Sequence, residues 1–454
     1  MFLARTRELK AMEDVAKENS LALCVIQGDH GLGKTALVRE FLKNKKGIYY
    51  KIRRVIEIFN EKLFLQEAGL QGWEVDQLDC ELLLEKLGKK SKGEALTLVF
   101  DAWENMANCW PGLWQLLDKL CQNQESWRLT IVLAGSINKD FWLAMPPAIK
   151  KQLRLKVTLA PLTYLDSLPL LESFENEEKV LLYGMTGGYP AYLRLVDEKL
   201  TYKENLNKLF YTEQAPLNGA ARKILQGKLR EPATYHAILY SMAKGAQRMS
   251  AISLEVGMEM NKLSKYMKTL LDVNLVERIN PVTAYKEQKQ QKKTYYILKN
   301  NLLAFWYQFV FPYASMLALG RGGVIVRQRV LPKLDTYGAW IFRKICLQYC
   351  QTLTERQNFA FPYEALGYWW QGEAGLENSM LLAVQKQQVC CMLCVWENSK
   401  TNVDAIFKLL TMAEGLDYEK KYYLVFSKKH FLDNALAYSA QHKQFRLISL
   451  SYIK

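Results

Sequence analysis

The sequence predicts an α/β protein: a parallel-sheet domain first, then a helical segment, a helical module with two short strands, and a small α/β domain last. Three observations carry that reading. The glycine-rich stretch "GDHGLGKT", residues 28–35, stands between the apolar run "ALCVIQ" and a segment with helical periodicity at Ala36, Leu37, Val38, Phe41 and Leu42. Two more apolar runs, "LTLVFD" (96–101) and "LTIVLAGS" (129–136), flank the helical pattern "LWQLLDKLCQ". Strand, helix and strand in that order imply a parallel sheet with right-handed crossovers. Beyond Val324, the strand-like runs "NSMLLAVQ", "QVCCMLCVW" and "YYLVFS" alternate with helical ones.

Composition bounds the rest. A chain of 454 residues has room for two to four domains. It is 50% hydrophobic and 24% charged, so it builds real cores rather than remaining disordered. The formal charge of +15 favours a polyanionic partner. Nine cysteines with a charged opening, "MFLARTRELK", are expected as reduced thiols in a cytoplasmic protein. Residues 300–320 are uncharged and long enough for a membrane span. Gln308, Pro312 and the polar residues around them argue instead for a buried helix and a turn, and no membrane span is expected. Four histidines, at 30, 236, 430 and 442, are too scattered to form a metal site.

The stretch 28–35 has the form G-x-x-x-x-G-K-T, a phosphate-binding loop. Gly28, Gly31 and Gly33 let the backbone curl so that N–H groups converge on a phosphate, and the following helix adds its positive end. Lys34 is placed to reach the β- and γ-phosphates, and Thr35 to put a hydroxyl on Mg²⁺. Asp29, His30, Leu32 and Ala36 complete the nucleotide-contacting stretch. Such a loop needs a second acidic group to hold the metal through water. Asp101, at the end of its apolar run, is the candidate. Ser136 ends the next run, where a small polar side chain can sense the γ-phosphate. The expected ligands are ATP and Mg²⁺.

In this order the motifs resemble the archaeal-type ATPases of the P-loop STAND/AAA+ group. "FLARTRELKAME" resembles the family's opening, with Arg5, Glu8 and Leu9 matching. "AGS" ending at Ser136 resembles its first sensor, and "LAPLTYLDSLPLL" the start of its lid. "MTGGYPAYLRLV" resembles its G-G-x-P element at Gly187, Gly188 and Pro190. The resemblance implies an ATPase core over residues 1–160, a helical lid over 161–228, and nucleotide contacts from Arg5 and Pro190. One departure matters. The family carries Asp-Glu where this chain has Asp101-Ala102, and that Glu polarises the attacking water. Glu104, two residues on, can swing in if the strand has ended, but its register is wrong for a direct substitute, so ATP binding is expected with slow hydrolysis.

From Thr234 the pattern changes. "TYHAILYSMAKG", "MSAISLEVGM" and "NKLSKYMKTLLD" read as three helices, and "LVERI" and "TYYIL" as two strands joined by the basic loop "NPVTAYKEQKQQKK". This is the outline of a winged helix with its linking helix, over residues 229–312. Lys262, Lys265 and Lys268 share one side of the third helix, and Lys286, Lys289, Lys292 and Lys293 lie in the loop, a layout suited to duplex DNA phosphates. "FWYQFV", from Phe305, resembles the family's linking segment and reads as buried scaffold.

Residues 324–454 resemble the restriction-endonuclease-like domain that ends this family, including a "GYWW" turn. Such nucleases hold a divalent metal with an Asp and a Glu and steady water with a Lys. Here Glu377 remains, but Ser379, Leu393 and Val395 occupy the expected Asp, Glu and Lys positions, and Arg343 that of a helical Glu. Nuclease activity is not expected. Cys390, Cys391 and Cys394 fit a buried strand better than a metal site. The domain is instead available to a protein partner or a second copy. The alternative reading is a winged-helix DNA-binding regulator in which ATP is structural.

Overall fold

Five short strands form one parallel sheet in the first part of the chain: β1 (Ala22–Gln27), β2 (Gly47–Lys51), β3 (Leu96–Asp101), β4 (Leu129–Gly135) and β5 (Leu153–Thr158). Their order is β2-β3-β4-β1-β5, and every neighbouring pair is parallel. The structure is a computed structural model that describes residues 5–454 except 19, 76–78, 123–126, 137–138, 226–228, 230–231, 283–293 and 372–374. The chain separates into two compact units, residues 1–161 with 189–191, and residues 162–188 with 192–454.

In the first unit β3 and β4 are buried along their full length, as strands covered on both faces must be. The helices are α1 (Thr6–Ala16), α2 (Lys34–Leu42), α3 (Glu57–Leu70), α4 (Cys80–Lys90) and α5 (Leu113–Gln122). Helices α3–α5 bury an apolar face against the sheet. The centre of that core is aromatic: Tyr50, Phe64, Phe100 and Trp110 meet with ring centroids 5.5 to 6.0 Å apart.

In the second unit, α6 (Asn176–Thr186) lies against the long helix α11 (Leu331–Glu355). Gly184 permits the approach: a Cβ there would come within 2.8 Å of Ile341 and 3.0 Å of Tyr337. Three helices, α7 (Pro232–Ala243), α8 (Met249–Val256) and α9 (Met260–Asp272), precede the antiparallel pair β6 (Val276–Ile279) and β7 (Tyr295–Leu298). The uncharged segment 300–320 begins with a buried helix, α10 (Asn301–Phe309), followed by a 3₁₀ turn (Phe311–Tyr313) and a short helical stretch (Ala314–Ala318). Among the described residues no helix is long and apolar enough to cross a membrane.

The last sheet has the order β12-β11-β10-β9-β8, formed by β8 (Ala365–Trp369), β9 (Met380–Gln385), β10 (Gln388–Val395), β11 (Lys420–Ser427) and β12 (Phe445–Ser449). β8, β9 and β10 pair antiparallel; β10, β11 and β12 pair parallel, with α12 (Asp404–Ala413) and α13 (Asp433–Gln441) as the crossovers. "GYWW" is not a turn: Gly367, Tyr368 and Trp369 belong to β8 and pair with Leu382, Leu381 and Met380. Two bulky aromatic rings beside a glycine fit a pleated edge strand as readily as a turn.

Candidate functional site

β1 leads into the loop and α2 begins at Lys34, so the glycine-rich segment stands at the carboxyl edge of the sheet. Gly31 and Gly33 have φ of 87° and 91°. A side chain at either would cost about 1–2 kcal/mol in that left-handed region. The first-turn amides of α2 have no carbonyl one turn earlier, which leaves them for an anion. Lys34 Nζ donates to the carbonyls of Gly28 (2.7 Å) and Asp29 (3.0 Å), which places the ammonium inside the curl. Burial pushes the Lys34 pKa down, while Glu104, Asp101 and Asp29 oppose that shift.

Asp101 closes the floor of the site. Its Oδ2 accepts from Thr35 Oγ1 at 2.7 Å and from Tyr49 OH at 2.8 Å; its Oδ1 accepts from the Ala102 amide at 2.8 Å. A hydroxyl and a carboxylate brought together at the foot of a phosphate loop are the oxygen donors that Mg²⁺ selects. Thr35 would ligate the ion directly and Asp101 through water. The hydroxyl of Tyr49 on β2 is pushed well above its usual range, by burial first and by Asp101 next.

Immediately after Asp101 the backbone turns. Ala102 has φ 56° and ψ 44°, and a short 3₁₀ turn covers Trp103–Asn105. The turn returns Glu104 to the end of β4, where its Oε2 accepts from the Ser136 amide at 2.8 Å. Ser136 Oγ in turn donates to the Gly28 carbonyl at 3.2 Å. The strand thus ends at Asp101, the condition under which the sequence lets Glu104 swing in.

The other sequence-predicted positions fall in two groups. Around the loop, Arg5 is buried and braces its back, donating to the Ala160 and Leu32 carbonyls and to Glu8. Leu32 is buried, Ala36 half-buried and His30 exposed. Residues 189–191 belong with this unit: Ala191 N–H donates to the Gly31 carbonyl at 3.2 Å, and Tyr189 OH to Asp29 at 3.4 Å. Pro190 Cγ lies 4.0 Å from where a Cβ on Gly33 would stand. Tyr49 was absent from the sequence-derived set. Its one signal is the alternation of "GIYYK", which separates it from the buried Ile48 and Tyr50.

Away from the loop, Lys262, Lys265 and Lys268 are exposed on α9, opposite the buried Leu263, Met267 and Leu270. Lys286, Lys289, Lys292 and Lys293 lie outside the described residues. In the last domain, Arg343 on α11 donates to the Leu376 carbonyl and, at 2.8 Å, to that of Glu377. Ser379 Oγ donates to the Leu376 carbonyl at 2.6 Å. Leu393 is buried and Val395 half-buried on β10. Among the described residues no cluster of three or more His, Cys, Asp or Glu can hold a metal. All nine cysteines are free thiols.

A glycine-rich loop between β1 and α2, and an aspartate ending a strand of the same parallel sheet, define a P-loop protein with the fold of the Walker-type ATPases. One solved structure agrees at the level of the fold. A Walker-type ATPase of Pyrococcus abyssi superposes with a TM-score of 0.50 at 16% identity, over 67% of this chain and 96% of that one. The ORC2 protein of Aeropyrum pernix superposes with a TM-score of 0.45 at 13% identity, over 70% and 95%. An uncharacterized protein of Methanocaldococcus jannaschii is 25% identical over 442 residues, 94% of this chain and 96% of that protein. Residues 306–406 match DUF234, a family described as archaeal and bacterial proteins of unknown function.

Proposed function

We propose that this protein binds Mg-ATP at residues 28–36 and acts as a nucleotide-dependent switch of the AAA+/STAND kind, with slow hydrolysis. The observation that carries this is the Thr35–Asp101 contact at 2.7 Å beneath a loop whose curl holds Lys34. Ser136 and Pro190 are the two positions where the presence of a γ-phosphate would be felt. Residues 189–191 offer a route outward, since they pack on the loop while the chain on either side of them belongs to the other unit.

The test is calorimetry of Mg-ATP on wild type and Lys34→Ala. Loss of a charged, part-buried donor costs about 1.5–3 kcal/mol, or about 10- to 100-fold in Kd. Equal affinity in the two proteins would remove the claim.

A second reading is favoured by one observation: Lys262, Lys265 and Lys268 are all exposed on a helix whose other face is buried. In it α7–α9 and β6–β7 are a winged helix that holds duplex DNA through phosphates, and ATP is structural. DNA affinity that falls with salt and ignores nucleotide would favour it. In both readings the last domain is a nuclease-like fold without a metal site. Arg343 supports this, because its guanidinium fills the carbonyl cluster beside Glu377 and Ser379 where a cation would otherwise be attracted.

A further inference from the structure

Resting on that reading of the loop as an ATP site, we infer that Glu104 is the carboxylate that orients and deprotonates the attacking water, in place of the residue missing after Asp101. The placement is built by the backbone. At φ 56° Ala102 takes the chain out of the strand, so the second residue beyond it comes back toward the sheet. Both flanking residues are tied to the scaffold. Trp103 is buried, with its ring 5.0 Å from Trp114, 5.7 Å from Phe141 and 6.3 Å from Phe100. Asn105 Nδ2 donates to the Ile52 carbonyl at 3.1 Å. Glu104, between these anchors, is itself exposed and therefore reachable by water.

Its carboxylate stands one residue from the phosphate loop. Oε2 accepts from the Ser136 amide at 2.8 Å, Ser136 Oγ reaches the Gly28 carbonyl at 3.2 Å, and Lys34 Nζ donates to that same carbonyl at 2.7 Å. Asp101 is poorly suited to the task, because its two oxygens already accept from Thr35, Tyr49 and the Ala102 amide.

In the step assigned to it, a water oxygen bonds to the γ-phosphorus. The bond from that phosphorus to the β–γ bridging oxygen breaks, leaving its electron pair on ADP. One water proton passes to Glu104 and then to the released phosphate. The hydrogen bond to Ser136 occupies one carboxylate oxygen, which fits a low resting rate.

The decisive variant is Glu104→Gln, which keeps an acceptor for the Ser136 amide and removes the base. On the full chain we would measure Kd for Mg-ATP and Mg-ADP, single-turnover phosphate release, and the nucleotide retained after incubation with ATP. The expected result is a Kd within about 3-fold of wild type, phosphate release slower by about 10²-fold or more, and retained ATP rather than ADP. Phosphate release by Glu104→Gln at the wild-type rate would overturn the inference, and so would a wild type that binds ATP and releases no phosphate. A wild type that binds no ATP would instead defeat the underlying reading, and the affinity measurement reports that separately.

Discussion

Asp101 and Lys344 show how much a single ionisable residue reveals once its partners are known. Asp101 is 2% exposed, with Thr35, Tyr49 and a backbone amide on its carboxylate. Asp101→Asn keeps the shape and removes the charge, so ATP affinity should fall in Mg²⁺ and the difference between Mg²⁺ and EDTA should shrink. A variant that still needs Mg²⁺ as strongly as wild type would move the metal elsewhere. Lys344 carries a different message. Its ammonium donates to the Leu298 and Lys299 carbonyls and to Asn301, and burial lowers its pKa from 10.5 to about 8. Between about pH 8 and 10.5 the unfolded chain then holds a proton that the folded chain has released. Stability should therefore rise with pH across that window, relative to Lys344→Met, and the two should run parallel below pH 8. Urea midpoints at pH 7, 8 and 9.5 check this, and curves parallel throughout would refute it. The loop residues and Asp101 were readable from sequence because their spacing is set by phosphate geometry. Glu104 was legible only as an out-of-register residue that an early strand end would bring in, because a left-handed alanine leaves no mark on a one-dimensional pattern.

Elements were legible in proportion to their burial. β3 and β4 stand inside the first sheet and read as unbroken apolar runs. β2 and β5 are its edges, and their burial alternates or thins out, so "GIYYK" and "LRLKVT" did not announce themselves. The same one-sided logic governs α9, whose lysines face away from its core. Replacing Lys262, Lys265 and Lys268 together with Ala should leave the fold intact. If α9 meets DNA phosphates, the triple variant should lower the slope of log affinity against log salt by about 2 to 3. An unchanged slope would return α9 to a packing role. Where α6 meets α11, the contact depends on the absence of a side chain. Gly184→Leu forces a branched group to within reach of Ile341 and Tyr337, and overpacking of this kind costs about 1–3 kcal/mol. A urea midpoint equal to that of wild type would mean that the helices can separate without penalty.

At the scale of the whole molecule, the last domain should cut nothing. Purified protein with single- or double-stranded DNA or RNA in Mg²⁺ or Mn²⁺ should leave the substrates intact, because Arg343, Ser379, Leu393 and Val395 offer too few oxygens to hold a hydrated divalent ion. Cleavage that co-purifies with the protein and is lost on substituting Glu377 would reverse that conclusion. The second unit is also interlocked over long sequence distances. Lys428, almost fully buried, reaches Glu177 at 3.2 Å, Asp335 at 3.3 Å and Asn398 at 2.6 Å, and stands over the Trp396 ring. The close approach at Gly184 has a consequence for synthesis on the ribosome. Helix α6 leaves the exit tunnel roughly 150 residues before α11. At about 5–20 residues per second it waits on the order of 10 to 30 s with its apolar face uncovered. The first sheet meets no such delay, since its five strands are complete by Thr158. The nascent chain then carries a complete first sheet followed by a helix that still lacks its α11 partner, and slowed elongation would lengthen that exposure.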